Sequence, residues 1–453
     1  MEDEKQLLEL CKFAVSQAHE YGATKAETQA QFSSELEGSV ELGQISSVNR
    51  QTGTGIAIRV FVGKQMGSAF TNIPTQDGIR DAVRLAVSAA KVSTEDPDFV
   101  DLPLPSSSYP SVDGLWSDSA AGVDPGEVVG QIVQLVKEAT QSEAGLVPAM
   151  SGAGAVEYHT AYANSNGVDH WERGTVGYIY LGAVAPSGEG MTPIVLSFDV
   201  KRGVDYDISS VVQEVADTLR LCKVSASGES GKFPVMMHAM AYGQIMQHTL
   251  LESIRGDSVV RGKSRIGDKL GETIAAENLT ISDDGTYPGG MNTRVADDEG
   301  VPRRRTTIID HGVLRSFIWD TYWANKAGVA STGNARRQLR RGLVEVATTN
   351  VVVEPGRRNA EDILSEIKHG FFVQNVQGAH SSNPQSGDFS IVGNPAILVR
   401  DGEMVGQVHG LMLTGNVFDL LKHVGEVASE PRFLEGAIAP DILFTEVNVV
   451  CRQ

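Results

Sequence analysis

The chain has 453 residues, longer than one domain ordinarily runs, and its 41% hydrophobic and 21% charged residues are those of an ordinary globular protein. Its formal net charge of -19 repels a phosphate backbone, and the basic runs PRRRTT and NARRQLRR are too short to offset it locally, so no nucleic-acid contact is expected. No apolar run approaches the roughly 18 residues that span a bilayer, and the acidic, amphipathic start is unlike a signal peptide. Three scattered cysteines, Cys11, Cys222 and Cys451, suggest neither a disulfide framework nor a thiolate metal site. A cytoplasmic protein without membrane contact is expected.

In chain order, apolar residues at spacings of three and four predict a helix over residues 5–21, stopped by Gly22. The runs GIAIRVFV and QMGSAF, joined by Gly63-Lys64, predict a hairpin. A second helix is predicted over 76–91, with Ile79, Ala82, Val83, Ala86, Val87 and Ala90 on one face. Residues 93–126, rich in Pro, Ser and Asp, read as a connection. Beyond it a helix over 126–142, strands around the Asn166-Gly167 turn and a helix over 205–222 are expected. The stretch SASGESGK, residues 225–232, breaks every periodicity and marks the main boundary. Beyond it short strands alternate with tight turns at 310–312 and 401–402, and helices are expected only over 241–255 and 361–369. The fold class that follows is α+β: helix-plus-hairpin subdomains over 1–100 and 101–225, then a strand-rich C-terminal domain over 226–453.

The stretch MQHTLLESIRGD lies in the first of those helices. There Met246, Leu250 and Ile254 form an apolar stripe, while His248 and Glu252, four residues apart, share another face. An imidazole and a carboxylate so spaced suit either one metal ion or a simple side-chain pair, and nothing nearby supplies a third ligand, so the pair is expected.

From residue 233 onward the chain resembles the TldD/PmbA family of metallopeptidases, formerly described as modulators of DNA gyrase. The resemblance rests on GDSVVRGKSRIGDKLGETIAAENLTISDDG, ADDEGVPRRRTTIIDHGVLRSFIWD, STGNARR, GAHSSNPQSGDFS and GLMLTGNVFDLL, in that order, and on GTGIAIRVFVGKQMGSAF nearer the start. In the TldD branch this helix carries HExxxH, two zinc-binding histidines and a general-base glutamate, and a cysteine near the C-terminus adds a ligand. Laid on that motif, Gln247-His248-Thr249-Leu250-Leu251-Glu252 changes all three positions, and residues 428–430 hold no cysteine. An amide oxygen is a poor partner for zinc, and without the ligands no zinc-bound hydroxide forms by this route.

The resemblance therefore implies the PmbA (TldE) branch, whose members lack the zinc motif. It implies a heterodimer with a zinc-bearing TldD-type subunit that acts on unfolded or leader peptides, with no cofactor in this chain. A homodimer of the isolated chain is compatible with a shared assembly surface. An autonomous hydrolase with a non-standard metal site, and a protein-binding adaptor of the gyrase-modulator type, are the alternatives. Asn334 and Arg336 of STGNARR, and His380 and Ser381 of GAHSSNPQSGDFS, are candidate groove or interface residues. The carboxylates of ADDEGVP, residues 296–302, lack cation-loop spacing and read as a solvated turn.

Overall fold

The computed structural model describes residues 2–188 and 190–451. The N-terminal half opens with α1 (Glu2–Glu20), followed by the strands β1 (Lys25–Glu41), β2 (Gln44–Val62) and β3 (Gln65–Thr71) and by α2 (Gln76–Val92). After a long connection come α3 (Pro125–Ser142), β4 (Val147–Asn164), β5 (Asp169–Val184), β6 (Val195–Lys201) and α4 (Ile208–Cys222). The six strands form one antiparallel sheet in the order β3-β2-β1-β4-β5-β6, so residues 25–71 and 147–201 each contribute half of it.

The two-residue period of the strands decides what each face meets. Ala26, Ala30, Ile56, Ile58 and Val60 turn toward α1 and α2, and Leu36, Ala153, Ala155, Ile179 and Leu181 toward α3 and α4. The alternate residues Glu27, Gln29 and Arg59 turn toward the C-terminal half. Strand β2 is longer than the run GIAIRVFV predicts, and its first half pairs with β1 in a hairpin not expected from the sequence. That first half of β2, near Gln44 and Asn49, is exposed and carries no buried alternation to read.

Helix ends follow local chemistry. Thr75 caps α2 by accepting the Gly78 N–H at 3.2 Å, and Asp124 with Glu127 forms a capping box on α3. The axis of α2 lies so close to β3 that a Cβ on Gly67 would stand 2.1 Å from the Ala86 carbonyl oxygen and 2.5 Å from the Ala90 nitrogen. Both obstacles are backbone, so Gly67→Ala must lift the helix. A loss of about 1–3 kcal/mol is expected from such overpacking, read as a lower urea midpoint at unchanged m.

The C-terminal half holds a nine-stranded and a second six-stranded sheet. In the larger one, β7 (Gly231–Met237) lies between Ile442–Val450, antiparallel, and His369–Val373, parallel. The helix expected over 361–369 is shorter, Ala360–Ser365, and His369 already begins a strand. Gly370 explains the switch: a Cβ there would stand 2.4 Å from the Pro234 carbonyl oxygen, so only glycine lets this strand reach β7. Both sheets contribute to the largest apolar cluster, around Tyr242, Phe371 and Phe444.

A buried charge lattice joins the halves. Glu27 and Arg337, both fully buried, meet at 2.7 Å. Arg59 bridges Glu27 at 2.5 Å and Glu299 at 3.0 Å, and Tyr162 donates to the second oxygen of Glu27 at 2.7 Å. Arg294 pairs with Glu172 of β5 and, at 2.6 Å, with Asp298, which also accepts the Gln29 amide at 2.7 Å. The 296–302 turn is thus not solvated: Asp297, Asp298 and Glu299 are 2%, 7% and 2% exposed. Asp297 accepts the backbone N–H groups of Glu299, Val301 and Ala335 at 2.9–3.0 Å, a set that no sequence spacing encodes.

Candidate functional site

The segment expected to be one helix over 241–255 is three short ones: α5 (Ala239–Gln247), α6 (Leu250–Ser253) and α7 (Gly256–Val260). The break falls at Thr249, with φ -136° and ψ -82°. Its hydroxyl donates to the Ile245 carbonyl at 2.6 Å, the local back-bond by which threonine competes with helical pairing. Tertiary pairing then redirects the chain, because Ile254 and Gly256 exchange backbone bonds with Ile318 at 3.0 and 2.8 Å. Gly256 is required there, since a Cβ would sit 2.0 Å from the Trp319 ring.

This break undoes the helical geometry that the expected His248–Glu252 pair needs. Glu252 instead accepts Arg255 at 3.2 and 3.3 Å, while the His248 ring has no side-chain partner among the described residues. Gln247, the last residue of α5, is exposed and borders an interdomain cleft of about 460 Å³.

Three surfaces build this cleft. Leu196 and Phe198 come from the sheet face of β6, and Met240, Gln244 and Gln247 from α5. The third is the C-terminal domain, through Asn292, Val351, Leu434 and Ala437. Gln244 is held by its amide, which donates to Asn375 Oδ1 at 2.7 Å. The guanidinium of Arg336 also lines the cleft, exposed and without an ion pair among the described residues. The walls therefore combine apolar side chains and amides with one cationic residue, Arg336, and one acidic residue, Glu435.

The other sequence candidates lie elsewhere. Asn334 is 1% exposed and structural, donating to Asp283 Oδ2 at 2.6 Å and to the Ala347 carbonyl at 3.0 Å. His380 and Ser381 sit on an exposed turn, Ala379–Ser381, and do not line the cleft. Asp388 binds Ser386 and Asn416 rather than His380, so no Ser–His–Asp relay forms. Leu196, Phe198, Asn292 and Asn375 were not foreseen, because no sequence signal links residues so far apart.

The donor set does not fit zinc. Gln247 offers a neutral amide, the Glu252 carboxylate is engaged by Arg255, and residues 428–430 are Ala, Ser and Glu. Cys451 bonds the 229–230 segment, its thiol donating to the Glu229 carbonyl. Among the described residues no three His, Cys, Asp or Glu side chains are grouped to hold a metal.

Family models place this architecture. PmbA/TldA metallopeptidase domain 1 matches residues 27–90, the central domain 121–222 and the C-terminal domain 230–451. The chain belongs to the PmbA/TldD family. Among solved structures it is similar to TldE from Thermococcus kodakarensis, at 30% identity and a TM-score of 0.93 over 97% of this chain and 100% of that one. A Thermotoga maritima protein described as a putative modulator of a DNA gyrase, 20% identical with a TM-score of 0.88, covers 98% of this chain and 99% of its own and shares the fold. Among curated relatives, the metalloprotease PmbA homolog of Haemophilus influenzae is 25% identical over 98% of this chain and 96% of its own. These likenesses make the chain a peptidase-like member of the family. Among its described residues no helix is long and apolar enough to cross a membrane.

Proposed function

We propose that this chain is the metal-free, TldE-like subunit of a two-subunit zinc peptidase. Its partner is a TldD-type chain that carries the zinc, and its substrate an unfolded or leader-like peptide in the cytoplasm. The observation that carries the reading is the replacement of the two metal ligands by Gln247 and Glu252, and of the general base by His248, on a segment whose helix breaks at Thr249, beside a cleft. Without the ligands to hold a metal that activates water, the zinc route to amide hydrolysis is closed to this chain. A cleft of apolar side chains and amides with Arg336 and Glu435 still suits an extended peptide, whose backbone meets the amides and whose charged groups meet the guanidinium or the carboxylate. The likeness to TldE of Thermococcus kodakarensis supports the same assignment.

The test is zinc content and cleavage of an unstructured peptide by the purified chain, alone and mixed with a TldD-type chain. The expected result is no zinc and no cleavage alone, with chelator-sensitive cleavage only in the mixture. Stoichiometric zinc with cleavage by the chain alone would establish an autonomous hydrolase instead. Capture of a protein target without any peptidase subunit, together with an inert mixture, would establish an adaptor.

A further inference from the structure

A second interdomain cavity, of about 470 Å³, lies against the charge lattice, lined in part by Arg59 and Glu299, and is not used by the proposed peptidase role. Its walls come from β2, from the connection after α2 and from α8 (Thr321–Ala327). Phe61 and Phe99 stack with ring centroids 3.8 Å apart on one side, and Trp323 stands among the other lining residues. The interior holds the carboxylates of Glu299 and Asp320, 2% and 1% exposed.

The two carboxylates differ in what they already hold. Glu299 is satisfied: one oxygen meets Arg59 at 3.0 Å and the other accepts the Thr321 N–H at 3.1 Å. Asp320 is not. One of its oxygens accepts the Trp323 N–H at 2.8 Å as the cap of α8, but its second oxygen has no hydrogen bond among the described residues, and the cation that acts on its charge, Arg59, is already paired with Glu27 and Glu299. Beside it the Thr321 hydroxyl is buried without a partner, in the same cavity wall.

The cations around the cavity are committed elsewhere. Arg59 serves Glu27 and Glu299, Arg261 pairs with Asp257 at 3.4 Å, Lys326 with Asp98 and Lys25 with Asp101 at 2.8 Å. Burial and the nearby Glu299 charge push the Asp320 carboxyl up to about 7, as expected of a carboxylate short of a counter-ion. A hard metal ion is the wrong occupant, because it needs six or more converging oxygens and here meets aromatic carbon. An organic cation suits both features, since its charge pairs with the carboxylate and its carbon surface lies against the rings.

We propose that this cavity binds an organic cation, an alkylammonium or guanidinium group, with Asp320 as its counter-ion and Phe61, Phe99 and Trp323 as its walls. Such a group is carried either by a free amine or by the basic side chain of a peptide. The volume is in the range of small-ligand sites and exceeds what one solvated ion requires.

The test is calorimetric titration of the full chain with agmatine and with the blocked peptide Ac-Ala-Arg-Ala-NH2, using the uncharged citrulline peptide as control. The expected result is saturable binding of at least one cationic probe and none of the citrulline peptide. Asp320→Asn retains the helix cap and should fold, yet weaken binding by about tenfold or more, as loss of a charged hydrogen bond does. Phe99→Leu, in the loop wall, should weaken it severalfold through the aromatic contact alone. Tighter binding of the peptide than of agmatine would assign a basic side chain as the occupant, and the reverse order a free amine. No saturable binding of either probe, equal binding of the citrulline peptide, or unchanged affinity in Asp320→Asn would overturn the proposal.

Discussion

Replacing Glu27 with glutamine is expected to destabilise the folded chain by about 3–5 kcal/mol, the range for removing one partner of a buried ion pair. The size follows from what the carboxylate neutralises. Burial by itself would raise its pKa, but Arg337 and Arg59 overcome that and draw it down to about 2. Both guanidiniums remain in place when the charge is removed. Arg337 is fully buried and Arg59 nearly so, so neither can recover its hydration without opening the seam between the halves. Urea unfolding followed by tryptophan fluorescence gives the value. A loss under about 1 kcal/mol would mean that water enters the seam and the lattice is not what joins the two halves.

The second large expected effect is a stability maximum on the acidic side of neutrality. Glu27, Glu172 and Glu214 are each drawn from 4.5 to about 2, by Arg337 and Arg59, by Arg294 and by His238 with Arg432, against the opposing effect of burial. Their folded pKa lies below the unfolded one, so their stabilisation is present above 4.5 and is lost as pH falls toward 2. Asp297 and Asp320 behave oppositely. Burial and the Glu299 charge raise both from 3.8 to about 7, against Arg303 at Asp297 and Arg59 at Asp320. Their contribution is complete below 3.8 and is lost as pH rises through 7.

The two trends cross near pH 5, and the chain should lose on the order of a few kcal/mol between there and pH 8. The double variant Asp297→Asn, Asp320→Asn should flatten that neutral limb and leave the acid limb in place. Thermal unfolding from pH 3 to pH 8 reads both limbs. A neutral limb unchanged in the double variant would assign it to other groups.

Much of this molecule is legible along the chain because it is made by local rules. The helices α1, α2, α3 and α4 show their buried faces at spacings of three and four, and turns such as Asn166-Gly167 announce themselves through residues that tolerate unusual backbone angles. The changed metal motif is legible too, since Gln247, His248 and Glu252 are identities rather than positions in space. The same holds for the resemblance carried by the C-terminal motifs.

What the tertiary structure alone decided is which distant residues meet. The helix expected through His248 stops at Gln247, and beyond the break at Thr249 the chain is redirected by Ile318, which claims the backbone of Ile254 and Gly256, a contact across more than sixty residues that no window along the chain contains. The acidic turn at 296–302 reads as solvent-facing because isolated carboxylates usually are. It is buried because Arg59 and Arg337 converge on it from two distant segments, beside its own Arg294, and two sheets supply the low-dielectric walls. Asn334 was moved from a groove to a structural post by Asp283, while Arg336 lines the cleft on the opposite side of its strand from the buried Arg337. Local propensity is summed over neighbours in sequence; charge pairing and cavity shape are summed over neighbours in space, and only the folded chain supplies that second set.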